Sequence, residues 1–195
     1  MFKIIDNVVD QETQDLIEKI VFSDDRKWTY QSPHRVSPAR IPTVAPEHKS
    51  PAFFFEVVTA NRQRLSDPLF EPLLRPIMHL HPTKILKVRC VINCQPVEDS
   101  KIKINHPHID ASPDYYHVSS YTNGVYYVNN TTGPTTIYKN RYTPGIPQDI
   151  NFDTVEIADR VDPKKGRLLT FDYDIYHSSS FPSHGSRAII NYNFI

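Results

Sequence analysis

Apolar positions fall into two regimes along this 195-residue chain. Near the N-terminus, Leu16, Ile17, Ile20 and Val21 recur at helical spacing behind Asp10, a residue suited to capping a helix start. That pattern predicts a helix from Asp10 to about Phe22, preceded over 2–9 by a short strand or extended lead-in. Two more helices are expected over 52–65 and 70–80, with Pro72 in a first turn and Pro76 bending the second. From Thr83 onward the pattern shortens to runs rich in Val, Ile, Tyr and Thr. These predict strands over 84–94, 102–110, 123–129, 135–139, 154–161, 167–171, 175–181 and 187–194. The expected fold is mainly β with flanking helices, a double-stranded β-helix (jelly-roll) of two facing sheets. One domain is expected over 1–195: 1–82 as helical support and a Pro-rich loop, 83–195 as the jelly-roll core.

Composition sharpens this picture. Proline (17) outnumbers glycine (5) more than threefold, which favours long Pro-rich connections and argues against a doubly wound nucleotide fold, for which no Gly-rich turn exists. The loop 31–51 collects five of those prolines with His34, Arg35, Arg40, His48 and Lys49. Lys plus Arg equals Asp plus Glu at 22 each, so no strong field draws nucleic acid or an anionic membrane, and neither partner is expected. Residues 1–20 are amphipathic rather than apolar, the pattern of neither a signal peptide nor a spanning helix. Cys90 and Cys94 lie four apart in a predicted strand, roughly 13 Å, too far for a bridge. A reduced, cytoplasmic setting is expected.

The candidate chemistry begins at His108-x-Asp110. In a strand these two side chains share a face while Ile109 points to the other. His177, near the end of the chain, would complete a triangle of two imidazoles and one carboxylate. Without thiolate, that set suits iron(II) held on one face of its octahedron better than structural zinc. Ten residues beyond His177, Arg187 opens a run in which Arg187, Ile189, Asn191 and Asn193 would share one face. An arginine facing a core needs a partner. The carboxylate of a small diacid fits, and so does an internal ion pair with Asp172 or Asp174. The other histidines are weaker ligands: His79 and His81 as a helix C-terminal feature, His106 as a rim residue, His117 and His184 in polar loops. A cupin-type metal enzyme and a metal-free jelly-roll binding protein remain open on these residues alone.

Over 84–194 the chain resembles the iron(II)/2-oxoglutarate-dependent oxygenases, most closely their prolyl-4-hydroxylase-like branch and its small phage and bacterial forms. The marks are RCVINCQP at 89–96, HPHID at 106–110, VYYVN at 125–129 with Gly133 and Thr135 after it, PKKGRLLTF at 163–171, and His177 to Arg187, all in the family's order. The resemblance implies Fe(2+) held by His108, Asp110 and His177, with 2-oxoglutarate and O2 as co-substrates. It implies Arg187 and Tyr126 on the distal carboxylate of 2-oxoglutarate, and Asn191 near the co-substrate. Gln95 stands where several relatives carry a tyrosine that touches it. The implied activity is a dioxygenase that hydroxylates a peptide, by default at proline, or a small molecule, forming succinate and CO2. The loop 31–51 and residues 114–117 are expected at the substrate rim, where Arg35, Arg40 and His106 would meet a polar or acidic group.

Overall fold

The computed structural model describes residues 1–24, 28–31, 53–59, 70–94, 104–144 and 152–195. The loop expected at 31–51 and Gln95 lie outside them, Gln31 apart. Ten strands and three α-helices form among the described residues, with a 3-10 turn at Phe152–Thr154. In chain order they are β1 (Phe2–Ile5), α1 (Gln11–Val21), β2 (Thr29–Gln31), β3 (Phe53–Thr59), α2 (Glu71–Met78), β4 (Ile85–Cys94), α3 (Pro113–Tyr116), β5 (Thr122–Tyr127), β6 (Thr135–Arg141), β7 (Ile157–Val161), β8 (Leu168–Asp172), β9 (Ile175–Ser179) and β10 (Ser186–Phe194).

Seven strands make the larger sheet in the order β1-β8-β5-β10-β4-β3-β2, and β7-β6-β9 make the smaller one. The pairings between these strands are antiparallel. From β4 on, the chain alternates between the two layers: β4, β5, β8 and β10 in the larger, β6, β7 and β9 in the smaller. This is the double-stranded β-helix expected from the strand pattern. Strand period 2 then sorts the side chains. Val91, Val125, Tyr127, Leu169, Phe171 and Ile189 of the larger sheet meet Ile137, Val161 and Ile175 of the smaller in one core between the sheets. Val88, Cys90, Tyr126, Leu168, Ala188, Ile190 and Tyr192 face the opposite way and pack under α1 and α2, on Ile17, Val21, Leu73 and Ile77.

Asp10 caps α1 through its carboxylate, which accepts from the Thr13 amide at 2.7 Å. The buried face of α1 is Thr13, Gln14, Ile17 and Val21, so Leu16, expected inward, is rotated onto the exposed shoulder. Gln14 takes the inward place because its amide donates to the Val9 carbonyl at 2.9 Å. The expected helix over 52–65 is instead strand β3 in its first part, paired with β2 and β4. Its Phe-Phe-Phe-Glu-Val-Val-Thr sequence has the aromatic and β-branched character that strands favour, and the neighbouring edge of β4 supplies the ladder. Segment 1–82 therefore contributes three strands as well as helices.

The expected strand over 102–110 does not form as a ladder in its described part, 104–110. Among these described residues only Ile104 and His108 make bridges, to Ser180 and His177. Pro107, lying between them, has no N–H to donate. Residues 105–107 stand opposite only 178 and 179, a local bulge. One tight crossing supports this region. Gly133 has φ +91°, and a Cβ there would lie 2.7 Å from the Ser180 carbonyl oxygen, a conformation and a space open to glycine alone.

Candidate metal centre

His108, Asp110 and His177 converge, with one ligand atom of each lying within 4.8 Å of the others. They are the one such group of three among the described residues. The backbone brings them together directly. His108 and His177 exchange both amide hydrogen bonds at 2.9 Å, so their rings stand on one side of the pair, centroids 4.6 Å apart. Asp110 follows just past the bridge, its Oδ1 3.7 Å from His177 Nε2. The backbone beyond it is clamped by Tyr121, whose hydroxyl donates to the Ala111 carbonyl at 2.6 Å and accepts from the Ala111 amide at 3.2 Å.

The second set of contacts decides which nitrogens are free. His108 Nδ1 lies 2.7 Å from the His106 carbonyl oxygen, and His177 Nδ1 lies 3.3 Å from that of Ile175. A carbonyl only accepts, so each Nδ1 carries the proton and each Nε2 keeps its lone pair, the arrangement that ligating histidines use. Asp110 is held in turn: Asn193 Nδ2 donates to its Oδ2 at 3.1 Å and to Asn123 Oδ1 at 2.6 Å, while Tyr116 donates to Asn193 Oδ1 at 2.9 Å. Phe171 closes one side, its ring 4.7 Å from that of His177.

Electrostatics keep His108 and Asp110 in their ligating forms. Burial, with the neighbouring His177 adding to it, pushes His108 down to about 4, so its imidazole is neutral. Burial alone would raise the Asp110 carboxyl. The adjacent His177 ring, 3.7 Å away, with the charges of Arg89 and Lys87, outweighs it and holds the group below the ordinary carboxylate range. Two imidazoles and one ionised carboxylate, without thiolate, fit a divalent cation of intermediate softness.

Arg187, the second residue of β10, lies on the same inner face as Asn193 and is fully buried. Its Nη2 donates to Thr135 Oγ1 at 2.7 Å, and its guanidinium carbon lies 5.4 Å from the centre of the Tyr127 ring. Nε and Nη1 are buried with no partner. The expected alternative, an ion pair with Asp172 or Asp174, does not form: Arg141 binds both carboxylates. Register gives the separation from the metal-ligating group. Thr135 pairs with Ser179 and Ile137 with His177, so the Arg187 contact lies two residues along β6 from His177, about 7 Å. A five-carbon chain with bonds of about 1.5 Å covers most of that gap.

Tyr126 is not brought to Arg187. It faces the helices, fully buried in the core under α1 and α2. Tyr127 is the residue beside the guanidinium, its hydroxyl donating to Thr135 Oγ1 at 2.7 Å. Adjacent strand residues point to opposite faces, so a match shifted by one residue selects the wrong tyrosine. Asn191 shares the Arg187 face, its Oδ1 buried and unpartnered. His106 is not a rim residue: it is buried, and its carbonyl orients His108. Tyr115 is exposed at 73% while Tyr116 turns in to Asn193, so only part of 114–117 forms a rim. His79 caps the end of α2 as expected. Sequence reasoning missed the supporting roles of Asn193, Asn123, Thr135 and Tyr127. Polar residues at alternate places in otherwise apolar strands were their signal.

No family model matches the sequence, and no curated protein matches it. The fold is similar to solved structures across nearly the whole chain. A prolyl hydroxylase from Trichoplax adhaerens, solved with a hypoxia inducible factor oxygen degradation domain peptide fragment, aligns at TM-score 0.62 and 14% identity over 99% of this chain and 83% of its own. A 2OG-Fe(II) oxygenase family oxidoreductase from Burkholderia pseudomallei aligns at 0.62 and 11%, over 99% and 84%. The non-heme α-ketoglutarate-dependent epimerase SnoN from nogalamycin biosynthesis aligns at 0.67 and 11%, over 100% and 78%. The chain thus has the jelly-roll fold that these oxygenases share.

Proposed function

We propose that this protein is an iron(II)- and 2-oxoglutarate-dependent dioxygenase that hydroxylates a peptide or small-molecule substrate, with peptidyl proline the default carried over by likeness. The observation that carries this reading is Arg187: a buried guanidinium with two unpartnered N–H donors, about one diacid length from a two-histidine, one-carboxylate group. A cupin-type metal enzyme without a diacid, or a metal-free binding module, leaves those donors unexplained. SnoN, similar in fold, is also described in complex with Fe3+ and α-ketoglutarate.

His108, Asp110 and His177 would hold the iron through Nε2, a carboxylate oxygen and Nε2. When bound, iron supplies the redox chemistry by which O2, 2-oxoglutarate and substrate become succinate, CO2 and hydroxylated substrate. Everything else is the work of this chain's residues. Arg187 donates to the distal carboxylate through Nε and Nη1, and Thr135 and Tyr127 fix its guanidinium. Asn193 holds Asp110, and the His106 and Ile175 carbonyls hold the imidazole protons on Nδ1. Asn191 lines the same face, and the fit to Gln95 is carried over from the resemblance alone. Val91, Val125, Ile137, Phe171 and Ile189 exclude water. No helix among the described residues is long and apolar enough to cross a membrane. The free thiols of Cys90 and Cys94 support a reducing, cytoplasmic setting.

The test is anaerobic. Iron(II) and then 2-oxoglutarate are added, and the weak visible metal-to-ligand charge-transfer band is sought. Its appearance in the wild type and loss in His177→Ala is the expected result. Folded wild-type protein that binds iron and 2-oxoglutarate without the band sinks the reading.

A further inference from the structure

The inner face of β4 carries a cation that the proposed reaction leaves unused. Arg89 shares that face with Val91 and Asn93, and the antiparallel register sets it directly opposite Asn191 of β10. Its Nε is buried and has no hydrogen-bond partner, and Asn191 Oδ1 is buried and unpartnered too. An unsatisfied donor and an unsatisfied acceptor thus rise from directly opposed positions on neighbouring strands, each desolvated. Native interiors rarely leave such groups without a ligand or an ordered water to meet them.

The described residues around the pair do not supply that partner. Asp110, within electrostatic reach of Arg89, is engaged by Asn193 and His177. Asp172 and Asp174 belong to Arg141. The proposed co-substrate does not fit either. 2-Oxoglutarate has no N–H or O–H for Asn191 Oδ1, and its distal carboxylate goes to Arg187, two inner-face positions from Asn191 on β10. Lys87, next on the β4 face, adds positive charge toward Asp110. The ligand that satisfies the pair presents an anionic oxygen and an N–H side by side.

We propose that Arg89 and Asn191 form the recognition site for the prime substrate, Arg89 donating to its carboxylate and Asn191 Oδ1 accepting from its amino N–H, so that the substrate class is a free amino acid. This rests on the oxygenase reading and narrows its substrate from peptidyl residues to small amino acids. Arg89 acts on specificity and orientation, not on the co-substrate.

The test uses the full chain loaded with Mn(II) and 2-oxoglutarate without oxygen, so that binding is read apart from turnover. Each of the twenty L-amino acids and its carboxamide counterpart is titrated by thermal shift, and the responders by calorimetry. At least one free acid is expected to bind, with its carboxamide at least tenfold weaker. Arg89→Gln should weaken that acid by about 10- to 100-fold, the loss of a charge-assisted hydrogen bond. It should leave 2-oxoglutarate affinity within about twofold. Arg89→Lys, which keeps the charge and guards against a folding defect in the first variant, should fall between the two. Acid and carboxamide binding alike, or no acid binding, overturns the proposal. So does an Arg89→Gln variant that loses 2-oxoglutarate at least tenfold, which would make Arg89 a co-substrate residue. Wild-type protein that holds Mn(II) but not 2-oxoglutarate overturns both this proposal and the oxygenase reading, and that control is read first.

Discussion

Replacing Arg187 by Met separates binding from stability, because the two should move in opposite directions. The guanidinium is fully buried, makes one hydrogen bond to Thr135, and leaves Nε and Nη1 unsatisfied. In the absence of ligand it is a desolvated charge without a counter-ion, and its burial pulls against its protonated form. Exchanging such a group for an apolar side chain of similar length is often neutral or stabilising by about 1–4 kcal/mol. The lost Thr135 bond offsets about 1 kcal/mol of that. Ligand binding should suffer instead. Two charge-assisted bonds to a carboxylate, at about 1.5–3 kcal/mol each, sum to about 3–6 kcal/mol. That is about 10²- to 10⁴-fold in the dissociation constant of 2-oxoglutarate. Urea unfolding of the metal-free protein and calorimetric titration of 2-oxoglutarate into the Mn(II) form measure the two halves. An Arg187→Met protein destabilised by 3 kcal/mol or more, with co-substrate affinity unchanged, would refute the reasoning and make Arg187 a structural ion.

Three further outcomes follow from contacts around the site and the shell. Asn193→Ala removes the donor that holds Asp110 and should weaken metal binding about 10- to 100-fold in a competition with a chelator, with 2-oxoglutarate affinity falling only through the metal. Gly133→Ala meets a positive φ and the Ser180 carbonyl, and should cost about 2 kcal/mol or more in denaturant unfolding. Asp6 accepts from Arg167 at 2.6 Å and Lys164 at 2.9 Å, and these bonds hold its carboxyl well below the ordinary range. A folded-state pKa below the unfolded one adds stability above about pH 4, lost as pH falls toward the folded value. Wild type should therefore exceed Asp6→Asn by about 1 kcal/mol at pH 7 in low salt, with the gap closing below about pH 3 and shrinking in high salt.

Much of the architecture was legible because burial and period coincide. Strands β4, β5, β6, β8, β9 and β10 stand close to their expected bounds, since each runs through a buried sheet whose side chains must be apolar at fixed intervals. The start of α1 was legible from Asp10, whose capping bond is local. The helix expected over 52–65 failed because its apolar run carries no decisive period. Whether such a run coils or extends depends on an open sheet edge, here that of β4. The regular strand expected around His108 fails for a covalent reason legible in the sequence, the missing N–H of Pro107.

The chain alone determined which residue types were available and in what order: an imidazole and a carboxylate two apart, a distant imidazole, and an arginine ten beyond. Spacing along a backbone is local, and these relations survive any fold. Tertiary structure decided which groups face one another. It set Tyr127 rather than Tyr126 beside Arg187, turned the His106 carbonyl onto His108, and left Arg89 Nε and Asn191 Oδ1 without partners. Those outcomes depend on strand register, where a slip of one residue reverses every side chain, and register is set by pairing between segments far apart in the chain.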